Sequence, residues 1–218
     1  MQKDNREDIS SSIEYMSISL IGNKTKAIII GGGRAGFIKA KSFLSKGCLV
    51  YVLSPVFYDG FEELKGNNRL ILIKDSYKID YILDKHVVII ATGEEEIDGK
   101  IIMDCDGLGK IYLTCDDYSK GLFITPTQGN TKSVHFSINT KSGSPKTSLF
   151  LKDVLKEELC EFDEFVDFVC GLRKKINDKE LKREIMEFVN TKDFYYFFKL
   201  GKHIQVLNMF YGGDKVEF

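Results

Sequence analysis

No stretch of 18 apolar residues runs anywhere in the 218-residue chain, so no helix long enough to cross a bilayer is expected. An excess of charge is missing too. The formal net charge is −1, which leaves no whole-molecule field to draw the chain onto nucleic acid or an anionic membrane. Histidine is scarce: His86, His135 and His203 stand apart, in no HExxH or comparable cluster. The five cysteines (Cys48, Cys105, Cys115, Cys160 and Cys170) form no close pair and no zinc-like spacing. No bound metal is therefore expected, and the thiols are expected to be reduced, in the cytoplasm. The polar, mixed-charge stretch Met1–Ser12 lacks the apolar centre of a secretory signal, which agrees with that compartment. Repeats and low-complexity tracts are absent. Hydrophobic residues make 43% of the chain and charged residues 29%, the balance of a folded globular protein and not of a disordered one.

Residues 1–14 read as a flexible lead-in. Short apolar, β-branched runs then recur at Lys26–Ile30, Leu49–Leu53, Leu70–Ile73 and His86–Ala91. Each is nearly continuous, as in a parallel sheet covered on both faces. Helical stretches fall between them at Arg34–Lys46, Phe61–Lys65 and Tyr77–Leu83, with Ala35, Ala40, Phe43 and Leu44 as the inward positions of the first. Ile97–Lys110 carries three glycines and three aspartates, poor helix material, and reads as a loop with a short strand at Ile101–Met103. Ile111–Thr114 is a further strand. This order gives an α/β, Rossmann-like parallel-sheet domain over 15–114. A short β segment over 115–144 follows, with strands at Leu122–Thr125 and Ser133–Asn139 around the turn-forming Thr127–Lys132. Ser144-Pro145 then opens a helical region, 145–218, with helices near 145–159, 161–175, 178–190 and 192–211.

Gly31-Gly32-Gly33-Arg34-Ala35-Gly36 matches GxGxxG at a predicted strand end and helix start, the context in which the pattern marks a dinucleotide site. Gly31 permits a tight turn, Gly33 lets a pyrophosphate approach the backbone, and Gly36 allows close helix–sheet packing. The second strand ends in Leu53-Ser54-Pro55, where NAD sites commonly carry an acid for the ribose. Ser54 is the hydrogen-bonding group available there. Ala91-Thr92-Gly93 ends the fourth strand with small residues, either an ordinary strand exit or the ligand edge of the sheet. Asp116-Asp117 follows the last strand. A paired acid in a turn is more often solvated surface than a general base. Lys120, Lys132, Lys141 and Lys146 likewise read first as a solvated charge face. The aromatic stripe of 162–211 reads as core or dimer interface.

Four stretches, in this order, resemble the siroheme-synthase-type precorrin-2 dehydrogenases, including bifunctional dehydrogenase–ferrochelatases. They are the aromatic-led entry from Tyr15; the strand, glycine loop and lysine of Ala27–Lys39; Val87–Thr92; and Tyr112–Asp117 followed by Phe123-Ile124-Thr125-Pro126 and Ser137–Pro145. The resemblance covers about residues 15–160. It implies NAD as cofactor, precorrin-2 as substrate and sirohydrochlorin as product, with ferrous iron as a further substrate if chelation is retained. It puts the family's catalytic aspartate on Asp116. It puts the family's nucleotide loop on Gly31, Gly33 and Gly36, and with these Gly32, Arg34, Ala35, Ser54, Ala91 and Thr92 are the expected cofactor contacts. Lys141, Ser142, Ser144 and Lys146 become the contacts for substrate carboxylates. It also implies a homodimer built through the β segment and the helices. Two other readings stay open: an NAD(H)-binding sensor module, and a chelatase-only homologue.

Overall fold

The computed structural model describes residues 15–141 and 143–212. The lead-in 1–14 lies outside them. The chain divides between Thr125 and Pro126 into two units.

The first unit is a five-stranded parallel sheet in the order β3-β2-β1-β4-β5. Its strands are β1 (Lys26–Ile30), β2 (Leu49–Leu53), β3 (Leu70–Ile73), β4 (Val87–Ile90) and β5 (Ile111–Thr114). Helix α1 (Arg34–Ser45) links β1 to β2, and α2 (Glu95–Gly107) links β4 to β5. Side chains alternate between the two faces along each strand. Ala27, Ile29, Val50, Val52, Val87, Ile89 and Leu113 pack on one face, against Ala40, Phe37, Phe43 and Leu44 of α1. Ile28, Ile30, Leu53, Val88, Ile90 and Tyr112 pack on the other, against Ile101 and Cys105 of α2. Every residue of β4 is buried, which is why its run is apolar throughout.

Three expectations for this unit are corrected. Most of Ile97–Lys110 is helical, since α2 runs Glu95–Gly107, and it is not a loop with a strand. Ile97, Ile101 and Cys105 repeat every fourth residue and meet the sheet. Burying one such isoleucine yields about 1.5–3 kcal/mol. That exceeds the roughly 1 kcal/mol a mid-helix glycine costs. Glu95, Glu96 and Asp98 fall in the first turn, the helix end that favours negative charge. Ala35 is exposed, and Gly36 and Phe37 take its place toward the sheet. The stretches read as helices at Phe61–Lys65 and Tyr77–Leu83 are short 3-10 turns, Asp59–Leu64 and Ile79–Ile82.

The second unit opens with an antiparallel hairpin, β6 (Thr127–Asn130) and β7 (His135–Ile138), in which Gly129 faces Phe136. Leu122–Thr125 is not a strand, and β6 lies in the stretch read as a turn. Thr-Gln-Gly-Asn has weak strand propensity, and pairing with β7 overrides it. Helix α3 (Pro145–Cys160) packs on the hairpin. Helices α4 (Asp163–Lys175), α5 (Lys179–Val189), α6 (Lys192–Lys199) and α7 (His203–Tyr211) bury Leu172, Ile176, Ile185, Val189, Phe194 and Leu207. The expected helix 192–211 is therefore two. Gly201, at φ 69°, ends the first, where its N–H donates to the Phe198 carbonyl and that of Lys202 to Phe197. Asp163 ties the hairpin turn to α4. Its carboxylate accepts hydrogen bonds from Thr131 Oγ1, from Lys132 N at 3.1 Å and from Ser133 N at 2.9 Å. These bonds hold the Asp163 carboxyl below the usual carboxylate range.

Candidate functional site

The strand order reverses between β1 and β4, and open α/β sheets bind ligands at the carboxyl edge of such a switch point. The chain leaves β1 into Gly31, at φ 119°, whose N–H donates to the Leu53 carbonyl at 2.9 Å. A Cβ on Gly31 would lie 2.1 Å from the Ala91 carbonyl oxygen, and one on Gly36 2.0 Å from that of Gly31. One on Gly32 would lie 2.4 Å from the Val56 oxygen. Gly33 differs: a Cβ there would meet nothing within 4 Å. Gly31, Gly32 and Gly36 thus serve protein packing, and Gly33 faces open space. Gly33 is also the N-cap of α1, and no side chain caps that helix. Arg34 and Ala35, the first two helical residues, are exposed. An open glycine before an uncapped helix start fits a pyrophosphate, which needs close backbone approach and free N–H groups.

Neighbouring strand ends complete this edge. Ser54 is buried and donates its hydroxyl hydrogen to the Val56 carbonyl at 2.7 Å, so it offers a ligand only its lone pairs. Ala91 lies against Gly31 and donates its N–H to Ile30. Thr92 Oγ1 accepts from Glu94 N at 3.0 Å and donates to Asp98. Thr92 and Asp98 thereby lock the start of α2. Sequence reasoning assigned Asp98 no role because its stretch read as loop. The signal was present as an acid six residues after a strand-terminal threonine.

The two acids after β5 part company. Asp117 accepts from Ser119 N at 3.0 Å and Ser119 Oγ at 2.6 Å, and these bonds keep its carboxyl below the usual range. Its carbonyl accepts from Thr114 Oγ1. Asp117 builds the turn. Asp116 is exposed, and among the described residues its carboxylate has no hydrogen-bond or ion-pair partner. Cys115 beside it is half-buried, and burial pushes its thiol up despite the nearby Lys39 ammonium, so it is not a ready thiolate nucleophile. Lys39, on α1, donates to Thr125 Oγ1 at 2.8 Å.

The structure thus gathers the glycine loop, Arg34, Ala35, Ser54, Ala91, Thr92 and Asp116 along one sheet edge of the first unit. The other predicted contacts lie in the second unit. Lys141 and Lys146 are exposed and have no ion-pair partner among the described residues. Ser144 is the N-cap of α3, but its hydroxyl pairs with Thr147 Oγ1 at 2.7 Å and not with backbone. Ser142 lies outside the described residues. Among the described residues no three His, Cys, Asp or Glu side chains converge as a metal site, and no helix is long and apolar enough to cross a membrane.

The model of the family described as "Putative NAD(P)-binding" matches residues 18–127, half of the chain and the whole sheet with its glycine loop. The chain belongs to this family. Its sheet unit is an NAD(P)-binding domain, and the Gly33 opening at the α1 N-terminus is where such a group fits. Among curated proteins, a siroheme synthase of Pseudoalteromonas translucida is 20% identical over 184 residues, 84% of this chain and 38% of that protein. A "Putative precorrin-2 dehydrogenase" of Methanocaldococcus jannaschii is 25% identical over 177 residues, 78% of this chain and 84% of that one. The chain spans 24% to 38% of the length of the siroheme synthases first matched. A solved structure titled "SirC, precorrin-2 dehydrogenase" superposes with TM-score 0.67 at 18% identity, covering 89% of this chain and 98% of that one. That likeness establishes the shared fold: a Rossmann-like parallel sheet followed by a hairpin and a helical region.

Proposed function

We propose that the protein is an NAD-dependent oxidoreductase of siroheme biosynthesis that converts precorrin-2 to sirohydrochlorin. The observation that carries this reading is Asp116, an unengaged carboxylate on the same sheet edge as the open glycine loop. Relatives named precorrin-2 dehydrogenase and siroheme synthase support it.

Bound NAD supplies the hydride acceptor. Oxidation breaks one C–H bond of the substrate with its electron pair and releases one further proton. Asp116 accepts that proton and passes it to water, which its exposure permits. Gly33 and the N–H groups of α1 hold the pyrophosphate and so fix the position of the ring. Ser54 accepts a hydrogen bond from a ribose hydroxyl. Precorrin-2 carries eight carboxylates, and the free ammonium groups of Lys141 and Lys146, with the uncapped start of α3 at Ser144, are the groups suited to them. A second copy of the chain covers α3, where Leu149, Phe150, Val154 and Leu155 are exposed. The expected setting is the cytoplasm.

The matches to siroheme synthases favour one addition, insertion of ferrous iron into sirohydrochlorin. Iron is then a substrate, and Asp116 receives pyrrole protons as it enters.

The test is anaerobic turnover of precorrin-2 with NAD, following NADH and the tetrapyrrole spectrum together. NADH and sirohydrochlorin rising in step support the reading. Intact protein that binds NAD but forms neither product overturns it and leaves an NAD(H)-binding sensor.

A further inference from the structure

Helices α4 and α5 flank an open surface groove of about 800 Å³. That volume is within the range of small-molecule sites. Val169 and Met186 give it an apolar wall, and Arg173, Lys179, Lys182 and Arg183 give it four cations, against the one acid Glu187. Positions 179, 182, 183 and 186 recur at helical spacing and form one stripe of α5. Leu181, Ile185 and Val189 form another, and they pack in the bundle core. Core packing thus accounts for that side of α5 and also holds Val169 and Met186 at the groove wall, and leaves the cations unexplained.

Two observations argue that this charge answers to a ligand. Among the described residues none of the four groove cations meets a carboxylate at ion-pair distance, and Glu187 is the one acid on the groove to offset them. Three of the four also lie in the N-terminal half of α5, the end whose dipole disfavours positive charge. Lys179 and Arg183 are four residues apart, a like-charge spacing that costs a helix about 0.2–0.5 kcal/mol. An anion in the groove relieves both penalties.

The cations flank the groove from two helices and extend over a turn of α5, and its wall is apolar. That suits a flat molecule with carboxylates around its rim better than a single phosphate. We propose that the α4–α5 groove is a second binding site for a polycarboxylated tetrapyrrole, retaining substrate or product near the enzyme. The identity of this occupant rests on the dehydrogenase reading.

Cys170 lines the groove and Cys160 is exposed elsewhere, so the two thiols make a probe and its control. The full chain is alkylated with iodoacetamide, with and without uroporphyrin, a stable octacarboxylate, and each cysteine is followed by mass spectrometry. Uroporphyrin is expected to slow Cys170 about tenfold while Cys160 keeps its rate, and 0.5 M salt is expected to reverse the effect. The folded variant Arg173→Glu/Arg183→Glu is expected to lose the protection. Unchanged Cys170 reactivity overturns the proposal. So does equal protection by tripolyphosphate, which marks a general polyanion site, and so does protection that persists in the variant. NADH formation from precorrin-2 and NAD is measured on the same preparation before alkylation. Turnover without Cys170 protection sinks the groove alone, and protection without turnover sinks the dehydrogenase reading alone.

Discussion

The sheet unit and the helical unit spend their exposed surface differently. In residues 15–125 the mainly aliphatic core is closed on both faces of the sheet, and the open features at its carboxyl edge are small and suited to a ligand. They are the Gly33 opening, the uncapped α1 and the lone Asp116 carboxylate. In the helical unit aromatic rings pack around a mainly aliphatic core, and what stays open is broad: the apolar side of α3 and four unpaired cations between α4 and α5. The first pattern suits a cofactor and a proton. The second suits large partners, a second subunit or a polyanion. On the proposed reading, chemistry and recognition are divided between the units.

The sharpest test of that division lies within one dipeptide. Asp116→Asn is expected to lower kcat about 10²–10⁴-fold, because a general base is lost. Asp117→Asn removes a turn contact and is expected to change kcat only a few-fold. NADH formation reads both, and equal losses would break the distinction between the free acid and the bonded one. Next in size is Phe194→Ala. Phe194 is fully buried against Phe188, with ring centroids 5.5 Å apart, and Phe168. Its truncation is expected to cost about 3–5 kcal/mol in urea unfolding. If the units are functionally separate, NAD affinity in native buffer stays within about twofold. A third pair compares two glycines of one loop. Gly36→Ala drives a Cβ against the Gly31 carbonyl and is expected to destabilise the sheet unit by about 1–3 kcal/mol and abolish NAD binding. Gly33→Ala meets no protein atom within 4 Å, so Tm holds while NAD affinity, by calorimetry, falls about tenfold.

What the sequence disclosed follows the same division. The sheet strands were legible because burial on both faces leaves continuous apolar runs, and β1 and β2 are bounded as read. Helix α2 was not, because Gly99, Gly107 and the aspartates lower its intrinsic propensity. Only packing of Ile97, Ile101 and Cys105 on the sheet recovers it, and packing is not a local property. Strand β6 was missed for the parallel reason: Thr-Gln-Gly-Asn becomes a strand only opposite β7. The glycine loop was legible as a site because Gly31 takes a positive φ and Gly32 and Gly36 have no room for a Cβ, while Gly33 leaves the backbone open. Composition and spacing did not separate Asp116 from Asp117; the family resemblance singled out Asp116, and the hydrogen bonds from Ser119 show the physical difference between the two. The groove cations were not singled out at all. Their spacing is that of any solvated helix face, and the missing ion pairs are visible only in three dimensions.

The smallest expected effect belongs to His203, the one described side chain whose buried polar atom, Nδ1, has no hydrogen-bond partner. Its ring is wedged between Phe168 and Phe198, with centroids 4.7 and 4.6 Å away. Burial among these rings disfavours the imidazolium and lowers the His203 pKa below its ordinary value. An unfolded chain takes up the proton near pH 6.5, and the folded one only at lower pH. Between those points the unfolded state binds more protons, so stability is full above about pH 6.5 and drains away as pH falls through the folded value. The slope is at most about one proton per molecule. His203→Phe should flatten it in urea melts taken from pH 7.5 to 5. The sheet unit carries no counterpart among the described residues: His86 lies at the amino end of the sheet, where its Nδ1 accepts from Lys26 N at 3.0 Å. A pH slope that survives in His203→Phe between pH 7.5 and 5 would overturn this assignment, and it could not be passed to Asp163, whose hydrogen-bonded carboxyl lies below the usual range and loses its contribution only below about pH 4.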